Sequence, residues 1–178
     1  MRIAEIKIYQ YDELSGEAQI NAREWFSYNR EINLDYEIEY WIEYLDGEGF
    51  HAALIYYSGF FCQGDGASFT AEVDKKHFLV GKYAVLEGVD FEFKIGSFNS
   101  NYCHSRTKEI VSYIYQATEQ ETDLIIELEK EIEQHRQCLC EKIYQALEKQ
   151  YEHETSDEVI AEIIKNNEYE FTEEGKKW

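Results

Sequence analysis

Residues 118–151 read TEQETDLIIELEKEIEQHRQCLCEKIYQALEKQY. Thr118 with Glu121 three positions on forms a capping box, the signature of a helix start. Behind it Leu124, Ile125, Leu128, Ile132, Leu139, Ile143, Leu147 and Tyr151 recur at three- and four-residue spacing. Neither proline nor glycine interrupts the run. One helix of about 34 residues and about 50 Å is therefore predicted. Its stripe drifts instead of holding a strict heptad, which favours packing on the chain's own apolar surface over a coiled coil. A partner helix on part of it, and so a homo-oligomer, stays open.

The preceding segments supply that surface. Val89-Asp90-Phe91-Glu92-Phe93-Lys94-Ile95 alternates apolar and polar residues and reads as a half-buried strand. His51–Tyr57 and Ala67–Val73 read as further strands, and residues 102–115 as another, since Ile, Val, Thr and Tyr dominate there; a helix over 106–115 is the competing reading. Residues 3–9 suggest a first strand, 76–86 a short helix around Phe78, Leu79 and Tyr83, and 169–171 a last strand. Ser15 caps a helix carrying Ala18, Ala22, Trp25 and Phe26 on one side. A second helix puts Ile38, Trp41, Ile42 and Leu45 on one face and ends at Gly47 or Gly49. Thr155-Ser156-Asp157-Glu158 reads as another capping box, opening a helix that ends at Asn166-Asn167. The fold class is α+β: a mainly antiparallel sheet of about four to six strands, packed against N-terminal helices and a long C-terminal helix, in a single domain over residues 1–178.

Composition narrows the function. The chain has 178 residues, with 37 Asp plus Glu against 17 Lys plus Arg and a formal charge of −20. A direct role on nucleic acid or an anionic membrane is disfavoured, because phosphates need a positive field. Hydrophobic residues at 44% and 15 tyrosines argue against disorder. The opening residues lack the apolar core of a leader, and no apolar run is long enough to span a bilayer. Cys62, Cys103, Cys138 and Cys140 read as free thiols of a reducing cytoplasm. The spacing of Cys138 and Cys140 does not suit a zinc knuckle, so neither metal nor other cofactor is expected.

Two places stand out. Ser58, Gly59, Phe60, Gln63, Gly64, Asp65, Gly66 and Ser68 lie in or beside a connection longer than a tight hairpin needs. Gly64 and Gly66 permit positive φ, so the loop can expose successive N–H groups as an anion nest for a ligand such as a nucleotide. A bulged hairpin whose Asp65 caps its own backbone is the plainer alternative. The other place is acidic: Asp35, Glu37, Glu39 and Glu43 on the second helix, and Glu127, Glu131, Glu141 and Glu148 on the long one, with Glu129 and Glu133 between. Such a surface, with tyrosines for contact area, suits a protein whose groove normally takes nucleic acid. Cys62, Cys103 or Ser68 could pair with His51, His77 or His104 in a hydrolase, but Cys103 and His104, adjacent on the expected strand, would face opposite sides. No catalytic residue is assigned.

Tyr11-Asp12-Glu13-Leu14-Ser15, Glu17-Ala18-Gln19 and Ala22-Arg23-Glu24-Trp25 together resemble the opening of a group of small acidic proteins encoded by tailed bacteriophages. Ser58-Gly59-Phe60 with Gln63-Gly64-Asp65-Gly66-Ala67-Ser68-Phe69 is similar to that group's central motif. Residues 155–158 and 168–176 are similar to its ending. The resemblance implies a phage origin and, by analogy, a non-enzymatic inhibitor of a bacterial defence system of the anti-CRISPR or anti-restriction type. Its partner would be a basic, nucleic-acid-handling protein in the host cytoplasm.

Overall fold

The computed structural model describes residues 6–97 and 103–178. Its elements run β1 (Tyr9–Gln10), α1 (Gly16–Asn29), α2 (Asp35–Gly47), β2 (Phe50–Tyr57), β3 (Ala67–Val73), α3 (Lys75–Phe78), β4 (Asp90–Ser97), β5 (Lys108–Gln116), α4 (Glu119–Glu154), α5 (Asp157–Asn166) and β6 (Glu170–Phe171). The protein is α+β, with a four-stranded antiparallel sheet, a two-stranded sheet and one long helix towards the C-terminus. Among the described residues no helix is long and apolar enough to cross a membrane. The chain forms two compact units, Met1–Leu34 with Lys149–Trp178, and Asp35–Glu148.

In the first unit, Ser15 Oγ accepts from the Ala18 N–H at 3.3 Å and starts α1. Ala18, Ala22 and Phe26 are then buried with Ile160 and Ile164 of α5 and Phe171 of β6. Small residues at 18 and 22 let the helices approach closely. Trp25 closes the cluster edge-on against Tyr169 and Phe171, with ring centroids 5.7 and 5.9 Å away. The anticipated first strand reduces to Tyr9–Gln10, paired with β6, and residues 3–5 lie outside the described residues.

The second capping box does not form as read. Ser156, not Thr155, caps α5, accepting from Val159 N, while Thr155 Oγ1 donates to the Tyr151 carbonyl at the end of α4. The third residue of α5 is valine, so no carboxylate reciprocates. Asp157 pairs instead with Arg23 at 3.2 Å.

In the second unit the strand order is β2-β3-β4-β5. Phe50, Phe69, Phe91, Phe93 and Ile110 are buried on it, as the alternation around Phe91 and Phe93 requires. The buried stripe of α4 is Ile125, Leu128, Ile132, Leu139, Ile143 and Leu147, each worth about 1.5–3 kcal/mol when fully buried. Thr118 N donates to Glu121 at 2.7 Å and Glu121 N to Thr118 Oγ1 at 3.3 Å, so the predicted box does start α4. At 36 residues the helix spans about 54 Å. Residues 108–116 are strand, as β-branched residues and tyrosines demand, and the first part of the expected 102–115 strand differs: 105–107 form a 3₁₀ turn, and 98–102 lie outside the described residues. The single helix expected over 76–86 is broken in two. Asp74 caps α3 by accepting from Lys76 N, and Gly81 at φ +58° turns the chain into a separate 3₁₀ segment, Gly81–Leu86.

Candidate functional site

The loop between β2 and β3 closes on itself. Asp65 Oδ2 accepts the N–H groups of Phe61 at 2.8 Å and Cys62 at 2.6 Å. Those two bonds, the Cys62 one foremost, hold the Asp65 carboxyl below its ordinary pKa. Ser58 N donates to the Gly66 carbonyl and Gly66 N to Ser58 Oγ, each at 3.1 Å. Phe60 lies between the rings of Tyr57 and Tyr144, 6.1 and 5.7 Å away, while Gln63 and Gly64 are exposed at the turn. Neither Gly64 nor Gly66 has positive φ. Gly66 is required for another reason: a Cβ there would sit 3.1 Å from His104 Cα. Of the two readings of this loop, the geometry matches the one in which Asp65 caps its own backbone, since the inward N–H groups already face a carboxylate of the same loop and not an outside anion. Ser68 is fully buried and its hydroxyl has no hydrogen-bond partner.

His104 precedes the 3₁₀ turn instead of lying on a strand, and its Nδ1 accepts from Arg106 N at 3.2 Å. Among the described residues neither Cys62, Cys103 nor Ser68 bonds to a histidine, and no three His, Cys, Asp or Glu side chains are gathered to hold a metal ion. Burial pushes the Cys140 thiol up to about 11, which keeps it protonated and inert. A cavity of about 440 Å³ lies beside α4, floored by Phe78, Leu128 and Ile132 and rimmed by His77, Lys82, Glu131 and His135.

The acidic row on α4 is not one anionic face. Lys82 Nζ bridges Glu127 at 2.9 Å and Glu131 at 3.3 Å. Glu129 and Glu133 turn to the sheet, accepting the N–H groups of Ser112 at 2.6 Å and Ile110 at 2.9 Å. Arg136, fully buried, adds two 2.6 Å bonds to the carbonyls of Ser105 and Lys108 and an ion pair with Glu133 at 2.7 Å. Glu141 is exposed and accepts from Gln145, and Glu148 is half-buried. The two halves of the expected acidic face thus have different characters.

Helix α2 keeps its charge. It carries Asp35, Glu37, Glu39, Glu43 and Asp46 and no Lys or Arg. Trp41 and Leu45 are buried, and α2 packs on β2. Glu37 accepts from Trp41 Nε1 at 3.0 Å, so it is spent on positioning that ring. Glu39 and Glu43 are exposed and make no ion pair among the described residues. Beside them Tyr36, Tyr40 and Tyr44 are 86%, 53% and 38% exposed. The acids are legible in the sequence, and so is the four-residue spacing of the tyrosines alongside, but only the packing of Trp41 and Leu45 leaves that ridge on the outside.

Residues 32–157 match the family model of a domain of unknown function, DUF8835. The chain belongs to this family. The DUF8835 match takes in the whole of the second unit, with α2, the sheet and the Ser58–Gly66 loop. No curated protein and no solved structure matches the chain.

Proposed function

We propose that the protein is a phage accessory factor that blocks a bacterial antiviral defence system without enzymatic activity. It works in the host cytoplasm by occupying the basic groove of a nucleic-acid-handling protein. The observation that carries this reading is α2, where five acidic residues and three exposed tyrosines share one helix with no cation. Exposed tyrosines cost solvation and suit anchoring contacts, while the solvent-facing carboxylates of Glu39 and Glu43 steer a basic partner and select against acidic ones. The resemblance of the Ser58–Phe69 motif to phage proteins supports the setting.

The test is capture from host lysate on immobilised protein, beside a variant with Glu39→Gln and Glu43→Gln. A basic nucleic-acid-binding protein should be retained by the native chain, lost from the variant, and released as salt shortens the Debye length. Retention that ignores both salt and the substitutions would remove the proposal.

A further inference from the structure

Three times in α2 an acid is followed by a tyrosine: Asp35-Tyr36, Glu39-Tyr40 and Glu43-Tyr44. All six residues are exposed, whereas Trp41 and Leu45 of the same helix are buried. A four-residue step advances about 6 Å along a helix and turns it by only about 40°, so the pairs form two adjoining stripes. One stripe is carboxylate and the other is aromatic. The rings of Tyr40 and Tyr44 lie 6.5 Å apart at 34°, side by side along the helix.

Packing accounts for part of this period, since Tyr40 and Tyr44 lie edge-on against the buried Trp41 ring, with centroids 5.8 and 5.3 Å away. It does not call for the three acids or for Tyr36, which is 86% exposed: Lys, Gln or Ala would be tolerated at those four positions, and tyrosine is a weaker helix former than these. What the stripes share with nucleic acid is a repeating anion with a flat ring beside it. In a duplex the rings are stacked inside and only groove edges and phosphates can be reached. In a single strand both are accessible. Proteins that hold single strands do so with a basic groove along the backbone and aromatic platforms under the bases.

We infer that α2 is a protein mimic of a short single strand, its acids following the partner's basic groove and Tyr36, Tyr40 and Tyr44 stacking on the partner's aromatic platforms. This rests on the reading that the protein inhibits a nucleic-acid-handling partner, and it names the class of that partner.

The test uses fluorescein-labelled oligo-dT bound to a purified bacterial single-stranded-DNA-binding protein of the OB type. Titrating in the full chain should displace the oligonucleotide at micromolar concentration. Tyr36→Ala, and separately Glu39→Gln with Glu43→Gln, should each weaken displacement by about tenfold with unchanged melting. A helix-turn-helix repressor on its duplex operator serves as the second probe and should keep its DNA. Displacement of the duplex but not of oligo-dT would overturn the single-strand assignment and leave the inhibitor reading standing. Displacement of neither probe, or equal displacement by the variants, would also overturn it.

Discussion

Glu133 of α4 accepts the backbone N–H of Ile110 at 2.9 Å, so a helix side chain supplies the acceptor that a fifth strand would otherwise offer. Glu129, one helical turn earlier, does the same for Ser112. Four residues of helix rise about 6 Å and two residues of strand about 6.8 Å, so the acceptors and outward donors nearly keep step. β5 is an edge strand, and unpaired edges invite pairing with other chains.

Removing one acceptor should therefore open the edge. Glu129→Ala strands the Ser112 N–H and should cost about 1–3 kcal/mol. It should also produce concentration-dependent association, visible by light scattering. Glu129→Gln keeps an oxygen acceptor and should stay monodisperse. An alanine variant as stable as the parent would contradict the assigned role.

Arg136 is the fully buried cation of the same ladder. Arg136→Leu leaves Glu133 without its charge partner and the carbonyls of Ser105 and Lys108 without donors. A loss of about 3–5 kcal/mol is expected, read as a lower urea midpoint at constant slope.

Asp65 predicts how the loop responds to pH. Its pKa is depressed in the folded chain from an ordinary value near 3.8. The stability it contributes is thus complete above that value and is shed as pH falls through the lower folded one. Amide exchange at Phe61 and Cys62 should stay slow at pH 5 and accelerate only in stronger acid. Asp65→Ala should make exchange there fast and pH-insensitive beyond the ordinary base-catalysed trend.

His51 titrates in the opposite sense. Its Nδ1 lies 2.7 Å from Asp46 Oδ1, and that hydrogen bond raises its pKa above the ordinary 6.5. Its contribution is full below 6.5 and vanishes as pH rises through the folded value, tying the end of α2 to β2 in acid and releasing it in base. Proton NMR should find the raised value in the native chain and a lower one in Asp46→Asn, where Asp74, 3.9 Å from Nε2, still holds it up in part.

Gly175 tests the first unit. It has φ +79°, and a Cβ there would lie 2.0 Å from the Ala18 carbonyl oxygen, a contact no side-chain motion relieves. Gly175→Ala should cost about 2–4 kcal/mol. Gly16→Ala, with nothing within 4 Å of its Cβ, should be neutral or mildly stabilising by melting temperature.

Local chemistry carries its own instructions, and these were readable in the chain. The apolar period over 124–151, the Ser15 and Thr118 caps and the alternation through Phe91 and Phe93 each involve neighbours within about one turn or one pleat. They determined the α+β class and the long helix. The strand expected over 102–115 rested on β-branched and aromatic content with a helix as its competitor, and the fold decided it over 108–116. Ambiguity arose where one residue had two possible partners: Thr155 bonds back to Tyr151 instead of starting α5, and of the two readings open for the loop its N–H groups take the one with Asp65. What only the tertiary structure decided is the fate of identical glutamates. Glu127 and Glu131 are bridged by Lys82 from 45 and 49 residues away, Glu129 and Glu133 are consumed by an edge strand, and Glu39 and Glu43 are left to solvent. A carboxylate carries the same charge in every context, but its partner is set by which distant backbone or cation the fold brings within about 3 Å.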